Sequence, residues 1–344
     1  MTFEKTITVY GATGSQGGPV VRSLLKNRAF KVRAITRNPD SLAAQALHML
    51  GAEVVQADGW KKEQMVAAFL GSWGAFVNTN SDDPPTEFDL GKTIIDGIIE
   101  TGTVKHLVYS SFVDTSALTK GQVAVRPAES KAKIQRYAEE SGYFESVCPL
   151  YQGWYMDIFS RRDYAQALGG FPFFQDDEGF RTLRSAKWGS DADMPVPWIS
   201  LEDDYGDIVH GIFLEPENWN GRVVPTVSDI STYPGVTETF ALGTLCPITR
   251  VLVTGQRARY VHSNDWKALF GDTRQGEENR SIFEFGRFTN GKYFGNHPIS
   301  TEKSAYLKAR AVEAQGRDPR KEGLITLSQW FAKNHASEIR GREA

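Results

Sequence analysis

Residues 11–17 form a glycine-rich segment suited to holding a pyrophosphate. The sequence GATGSQG has the form GxxGxxG, follows the apolar run Thr6–Tyr10 and precedes the helical stretch Val20–Lys26. Between a strand and a helix, glycines permit a tight turn and close approach of phosphates, and the helix N-terminus offers free N–H groups and a positive dipole end. The segment therefore predicts a dinucleotide site, with a tight turn that binds no ligand as the alternative.

The end of the second predicted strand indicates which dinucleotide is bound. Lys31–Thr36 is followed by Arg37 and Asn38 and not by an acidic residue. An Asp or Glu would bind the ribose 2′-hydroxyl of NAD, whereas an arginine guanidinium pairs with the 2′-phosphate of NADP. The sequence therefore predicts NADP(H) as the cofactor in preference to NAD(H), and for Arg37 itself the alternative is a solvated surface arginine.

The elements that must position these residues alternate between strand and helix over the first 150 residues. This alternation predicts an α/β fold, a Rossmann doubly wound parallel sheet with helices on both faces. The predicted strands are Thr6–Tyr10, Lys31–Thr36, Glu53–Gln56, Ala75–Asn78, His106–Ser110 and Glu145–Pro149. The predicted helices are Val20–Lys26, Ser41–Leu50, Lys62–Leu70, Phe88–Glu100 and Ser130–Glu140.

After Leu150 this rhythm ends, and a smaller mixed α/β C-terminal lobe is predicted. Residues 1–150 form the predicted NADP-binding domain, which parts of 196–228 are expected to complete through a strand–helix pair at Val196–Phe213 and a strand at Arg222–Val227. Residues 151–195 and 229–344 are assigned to the lobe for a substrate or a partner. Its predicted helices are Thr232–Leu242, Asn264–Phe270, Thr301–Ala314 and Leu327–His335.

Composition and charge argue against several classes of protein. The 344 residues carry a formal net charge of -3, which disfavours a nucleic-acid partner. No run approaches the ~18–20 apolar residues of a membrane helix, and no targeting segment is visible. Two cysteines are too few for a disulfide framework and fit a reducing compartment. The cysteines and the scattered histidines also lack the spacing of metal ligands. We therefore expect a cytoplasmic protein.

Several segments resemble the NmrA-like family of atypical short-chain dehydrogenases/reductases. They are GATGSQGG at 11–18, KVRAITRNP at 31–39, GAEVVQAD at 51–58, VYSS at 108–111, VPWISLEDDYGDIV at 196–209 and LITLSQWFAKNH at 324–335. The resemblance implies a Rossmann domain and a small C-terminal lobe with NADP(H) in the cleft. The cofactor contacts predicted from this resemblance are Gly11, Thr13, Gly14, Ser15, Gln16, Gly17, Arg37, Asn38, Asp58, Gly59, Thr79, Asn80, Lys92, Lys131 and Tyr155. For Lys92, a helix-surface lysine is the alternative.

The wider superfamily commonly places a proton-donating tyrosine four residues before the active-site lysine. In this sequence Pro127 stands four residues before Lys131, and no other tyrosine forms a YxxxK motif. Lys131 is the first candidate catalytic residue, with ribose binding alone as its alternative role, and Tyr155 and Tyr151 are further candidates for the proton donor.

Three interpretations of the function stay open. The first is a reductase of C=O or C=C bonds that uses another proton donor. The second is an enzyme for iminium or activated heteroaromatic substrates, which need no proton in the hydride step; a related form binds NADP without consuming it and shapes a site for cyclisation. The third is a non-catalytic NADP(H) sensor that reports to a protein partner.

Aromatic residues are concentrated after the sixth predicted strand. Residues 151–200 contain eleven of them, and a pocket with such walls suits a bulky aromatic or apolar small molecule, such as a specialised metabolite. This concentration favours an enzyme over a sensor; an ordinary packed core and a partner or homodimer surface are the alternatives. The predicted pocket residues are Tyr151, Trp154, Tyr155, Phe159, Phe173 and Trp188.

Overall fold

The computed structural model describes residues 5–80, 86–190, 194–242, 257–265 and 269–335. Among these residues the strands, in chain order, are β1 (Lys5–Tyr10), β2 (Phe30–Thr36), β3 (Glu53–Gln56), β4 (Gly74–Val77), β5 (His106–Ser111), β6 (Ser146–Gln152), β7 (Trp154–Tyr155), β8 (Arg181–Ser185), β9 (Val196–Ile199), β10 (Val224–Thr226), β11 (Asp229–Ser231) and β12 (Ala258–His262).

The helices surround these strands. In chain order they are α1 (Gly17–Leu25), α2 (Leu42–Met49), α3 (Lys62–Phe69), α4 (Glu87–Thr101), α5 (Thr115–Thr119), α6 (Arg126–Glu140), α7 (Arg162–Ala165), α8 (Gly206–Leu214), α9 (Tyr233–Leu242), α10 (Arg274–Phe288), α11 (Glu302–Ala314) and α12 (Leu327–Asn334). Short 3₁₀ or π turns cover Met156–Ser160, Leu201–Tyr205 and Pro216–Trp219.

The main sheet has seven strands in the order β10-β6-β5-β4-β1-β2-β3, and every neighbouring pair is parallel. Apolar side chains of α3, α4 and α6 cover one face, and those of α1, α2, α8 and α11 cover the other. Because crossover helices bury both faces, every residue of the central strands β4, β5 and β6 is buried. The predicted doubly wound α/β fold is confirmed.

A second core joins the lobe that follows β6. Half of its buried side chains are aromatic, and it lies beside two small sheets with the strand orders β11-β9-β7 and β12-β8. Trp188, Trp198, Phe159 and Phe171 are fully buried there. Much of the aromatic excess of the sequence therefore stabilises this lobe by removing large apolar surfaces from water.

The structure adds α5, α7, β7, β8, β11 and β12 to the sequence-based expectation, and β6 and α10 also differ from it. β6 continues through Pro149 to Gln152, which extends the predicted strand by three residues toward the carboxyl edge of the sheet. The sequence does not predict α10, because Gly276 and Gly286 lower the helix propensity of this segment. Gly286 is required by packing: a Cβ there would lie 2.4 Å from the Trp188 ring. Of the helix predicted at 264–270, residues 266–268 lie outside the described residues.

A buried polar cluster holds α1, α8 and α11 together. The His210 imidazole lies 3.0–3.1 Å from polar atoms of Ser23, Asn27 and Gln315. Burial lowers the pKa of His210 to about 4, although the negative charge of Asp207 opposes this shift. The folded protein therefore holds this imidazole in its neutral form at neutral pH.

This cluster predicts a loss of stability in mild acid. The unfolded chain protonates His210 near its ordinary pKa of 6.5, whereas the folded chain does so only near 4. The free energy of unfolding should therefore fall as the pH drops from 6.5 to 4, by about 3 kcal/mol from this residue. His106 and His297 add to the fall, because burial lowers their pKa values too. The free energy of unfolding, measured with urea at several pH values in this range, should depend less steeply on pH for His210→Gln than for the wild type. Equal dependence on pH in the two proteins would contradict the role of His210.

Candidate active site

The glycine loop folds back on itself between β1 and β4. Gly11 has a φ of +77°, and a Cβ there would lie 3.1 Å from the carbonyl oxygen of Asn78. A Cβ on Gly17 would lie 2.2 Å from the Gly11 carbonyl oxygen, which also accepts the Gly14 N–H at 3.0 Å. Neighbouring strands β1 and β4 continue to helices on opposite faces of the sheet, and in such sheets ligands bind at this switch in strand order.

The N-terminus of α1 is left open toward the loop. Gln16 is its N-cap residue, but the side chain makes no capping hydrogen bond, and the first turn has no acidic residue. Instead, Gln16 Nε2 donates to the Tyr155 hydroxyl at 2.7 Å, and its Oε1 accepts from the Tyr205 hydroxyl at 3.0 Å. Thr13 and Ser15 are exposed beside it. A glycine turn at an uncapped helix N-terminus fits the phosphates of a dinucleotide.

The ends of β2 and β3 carry the next predicted contacts. Arg37 and Asn38 are exposed, and their loop is held by a 3.2 Å hydrogen bond from Gln56 Nε2 to the Arg37 carbonyl. At the end of β3, Asp58 Oδ1 accepts the Trp60 N–H at 3.2 Å. Gly59 is buried, and it has no room for a side chain because a Cβ there would lie 2.2 Å from the Tyr10 hydroxyl oxygen. The main sheet brings these residues to the same edge as the glycine loop.

Lys131, on α6, lies at the same edge of the sheet, where oxygen atoms of residues that follow β4 surround its ammonium group. Its Nζ lies 2.9 Å from Glu87 Oε1, 2.8 Å from the Thr79 carbonyl and 3.4 Å from Asn78 Oδ1. The Lys131 side chain is 17% exposed and that of Glu87 is 1% exposed, so this is a largely buried ion pair. Asn80 is exposed at the rim.

Glu87 is a site residue that the sequence pattern did not single out. It is the first residue of α4, directly after the N-cap Thr86. The available signal was an acidic residue in the first turn of a helix that leaves the carboxyl edge of the sheet. The Thr79 hydroxyl donates to Glu87 at 2.7 Å and lies 2.9 Å from the Tyr109 hydroxyl. Burial, and then the charge of Glu87, raise the pKa of Tyr109 well above its usual value.

A cavity of about 300 Å³ opens beside Lys131 and Tyr155. Its polar lining includes Gln152, Ser185 and Asn279, and no Asp or Glu lines it in the described part of the chain. This size is at the lower end of the range for small-molecule sites. The aromatic residues that line it are Phe112, Trp154, Tyr155, Phe159, Tyr164, Tyr233, Phe270, Phe283 and Tyr293.

Not every predicted pocket residue lines this cavity. Tyr151 packs against Phe112 and the His297 ring, and the fully buried Trp188 packs behind Trp154. Phe173 is not in the lining, and the centre of its ring lies 4.5 Å from the Arg162 guanidinium carbon. These three residues contribute to the core and surface of the lobe, whereas Trp154, Tyr155 and Phe159 contact the cavity.

Lys92 is also placed away from the cavity. Its Nζ lies 2.6 Å from Asp96 and 5.0 Å from the centre of the Tyr137 ring. The hydrogen bonds to Asp96 and Tyr137 raise the pKa of Lys92. These contacts fit the helix-surface alternative, because they hold the ammonium group between α4 and α6.

Known proteins are similar to this chain in sequence and in fold. The model of the NmrA-like family matches residues 3–302. The chain belongs to the NmrA-like family. It is 66% identical to the NmrA-like family domain-containing oxidoreductase notA' of Aspergillus versicolor over 351 aligned residues, 97% of this chain and 98% of that protein. Crystal structures of NmrA, a negative transcriptional regulator, in complex with NADP and with NAD share the fold, each with a TM-score of 0.69 and 23% identity over 93% of this chain and 97% of theirs.

In this NmrA-like protein, the position of the usual tyrosine is part of the cavity wall. Pro127 lies in the first turn of α6 and lines the cavity together with Ala128 and Lys131. The proline supplies apolar surface and no proton. Any proton donor to a molecule in the cavity must therefore be a residue other than the one at position 127.

The described residues show neither a metal centre nor a membrane-spanning helix. No group of three or more His, Cys, Asp or Glu side chains within the described ranges could hold a metal ion. Likewise, none of the helices described above is long and apolar enough to cross a bilayer.

The buried Lys131–Glu87 pair of this NmrA-like protein predicts a large effect of breaking it. Lys131→Met leaves the Glu87 carboxylate buried without its cation, and we expect the free energy of unfolding to fall by about 3 kcal/mol. Adding Glu87→Gln should restore part of that loss, because the buried charge is then removed. The matched control is Lys92→Met, which breaks a more exposed pair and should change stability by about 0.5 kcal/mol. Equal urea midpoints for the two lysine variants would contradict the stabilising role of the buried pair.

Proposed function

We propose that this protein is an NADP(H)-dependent oxidoreductase that acts on a bulky aromatic or apolar organic molecule. The relative that is 66% identical carries the name of an oxidoreductase, and a fold neighbour was crystallised with NADP. The observation that carries the proposal is the cavity beside Lys131 and Tyr155. Gln16 links this cavity directly to the glycine loop, so a dinucleotide on the loop would reach it.

The chain's own residues have distinct roles in this proposal. The α1 N-terminus and the glycine loop bind the pyrophosphate, and Arg37 binds the adenosine 2′-phosphate. Lys131, held by Glu87 and the Thr79 carbonyl, orients the nicotinamide ribose. When bound, reduced NADP supplies a hydride. The aromatic walls exclude water and hold the flat face of the substrate.

The substrate class follows from the lining of the cavity. Nine aromatic side chains, with few polar groups among the described residues of the lining, favour a flat polycyclic molecule with few polar groups. Such a molecule can present a C=O, C=C or C=N bond to the nicotinamide, and all three remain within the proposal. A reaction coupled to cyclisation stays a variant of it. The alternative function is an NADP(H) sensor with a protein partner, which the turnover assay described next distinguishes from an oxidoreductase. A homodimer stays a prediction under either function.

The function is tested by cofactor binding and turnover in two glycine variants. Gly17→Ala places a Cβ 2.2 Å from the Gly11 carbonyl and should abolish NADPH binding, measured by nicotinamide fluorescence. Gly18→Ala is the matched control: the nearest atom to its Cβ is at the far end of the flexible Arg22 side chain, at 3.2 Å, and the Ala12 carbonyl oxygen lies at an ordinary contact distance of 3.6 Å, so this variant should bind as the wild type does. With a panel of polycyclic ketones, enones and imines, the wild type should consume NADPH. Tight NADPH binding without turnover would favour the sensor.

The choice of dinucleotide rests on Arg37. Arg37→Ala should weaken NADPH binding by about tenfold or more and leave NADH binding nearly unchanged, because only NADPH carries the 2′-phosphate. Competition titrations of NADPH and NADH against the wild type and the variant give the ratio of the two affinities in each protein. An equal loss for NADPH and NADH would remove the basis of the NADP assignment.

A further inference from the structure

We infer that Tyr155 is the residue that donates a hydrogen bond, and in reduction a proton, to an acceptor atom of the substrate, and that Gln16 is its positioning residue. This inference rests on the proposed function and deepens it. In the wider superfamily the proton donor is a tyrosine four residues before the lysine, where this sequence has Pro127. We assign that role to Tyr155. The observations that carry this inference are the buried ion pair of Lys131 and the direction of a buried hydrogen-bond chain.

Lys131 is part of a largely buried ion pair. A lysine ammonium carries three N–H groups. Three oxygen atoms, from Glu87, Thr79 and Asn78, lie within 3.4 Å of its Nζ. A hydrogen bond to a ribose hydroxyl would displace only the longest of these contacts, at 3.4 Å to Asn78 Oδ1, whereas loss of the proton would leave the buried Glu87 carboxylate without its cation. The geometry therefore favours a cation that binds and orients over one that transfers a proton.

A chain of hydrogen bonds sets the direction of each donor up to Tyr155. The Leu150 carbonyl can only accept, so the amide group of Gln152 donates to it at 3.0 Å. The same Nε2 donates to the Tyr205 hydroxyl at 3.3 Å, and that hydroxyl donates to Gln16 Oε1 at 3.0 Å. The remaining end of the Gln16 amide is then its NH₂ group, which donates to Tyr155 at 2.7 Å.

The chain leaves the proton of Tyr155 uncommitted. The Tyr155 hydroxyl accepts from Gln16, and in the described part of the chain its own O–H has no acceptor. Tyr155 lines the cavity, so this O–H is available to a molecule bound there. Burial, partly offset by the Gln16 hydrogen bond, raises the pKa of Tyr155 to about 12, so the phenol keeps its proton at neutral pH.

The proton balance of a carbonyl reduction is then complete. The hydride from bound reduced NADP forms the new C–H bond, and the π electrons of the carbonyl move to its oxygen. The Tyr155 O–H bond breaks as its proton passes to that oxygen. The phenolate that remains accepts the hydrogen bond from Gln16 and regains a proton from water. An iminium substrate would use the same hydride and leave the Tyr155 proton in place.

Other tyrosines of the cavity differ from Tyr155 in one respect. Tyr164, Tyr233 and Tyr293 also line it. No hydrogen bond among those in the described ranges ties them to the glycine loop, whereas Tyr155 is held by the N-cap residue of α1. Tyr155 is therefore the cavity tyrosine that a dinucleotide on the loop would lie nearest.

The test measures binding of two ligands that differ by one oxygen. 9-Fluorenone and fluorene have the same flat shape, but only the ketone accepts a hydrogen bond. With protein saturated by NADP⁺, and again without cofactor, tryptophan fluorescence gives the affinity for each. We expect the wild type to prefer fluorenone by about tenfold, the value of one hydrogen bond. Tyr155→Phe should abolish the preference, and Gln16→Leu should reduce it. Tyr137→Phe, on α6 outside the site, is the control and should retain it.

The outcomes separate this assignment from the proposed function. Equal affinity for fluorenone and fluorene in the wild type, or failure of both to bind, would overturn the role of Tyr155. So would a preference that survives in Tyr155→Phe or is lost in Tyr164→Phe instead. Failure of the same wild-type preparation to bind NADPH would overturn the proposed function alone, because the cofactor-free titrations still report on Tyr155. For turnover, Tyr155→Phe should lower ketone reduction at least a hundredfold and spare iminium reduction.

Discussion

The parallel alignment of the seven-stranded sheet is the constraint on which the site depends. Because all its strands run in one direction, their carboxyl ends meet at one edge. That edge collects the glycine loop after β1, Arg37 after β2, Asp58 after β3 and Thr79 after β4. Crossover helices must return across the faces, so the N-termini of α1 and α4 also lie there. The first supplies open N–H groups, and the second supplies Glu87 to Lys131.

The aromatic segment after β6 serves two purposes at once. Trp188 and Trp198 are fully buried and form the core of the small lobe, while Trp154 and Phe159 belong both to that core and to the cavity wall. A wall whose residues are packed from behind is rigid, and a rigid apolar wall loses little entropy when a flat ligand binds. The packing of the lobe is therefore also the preorganisation of the cavity.

In the proposed reaction, Lys131 and Tyr155 divide between them the binding of the cofactor and the donation of a proton. With Pro127 in place of a tyrosine, the lysine has no phenol beside it in the sequence, and in the fold it is surrounded by oxygen atoms. Tyr155 enters the cavity from β7, after the sixth strand of the sheet, and is held by the glycine loop. Gln16 is both the N-cap residue of α1 and the hydrogen-bond partner of Tyr155, so the proposed cofactor site and the tyrosine share one residue.

The sequence by itself determined the fold class, most of the Rossmann elements and the glycine loop, because periodicity and turn-forming residues act over a few neighbouring positions. It did not determine α10, whose glycines weaken the local helix signal until Trp188 packs against Gly286. Nor did it pair Lys131 with Glu87, or aim Gln16 at Tyr155, 139 positions away. Strand order and side-chain packing create those contacts, and no local pattern encodes which distant residues they bring together.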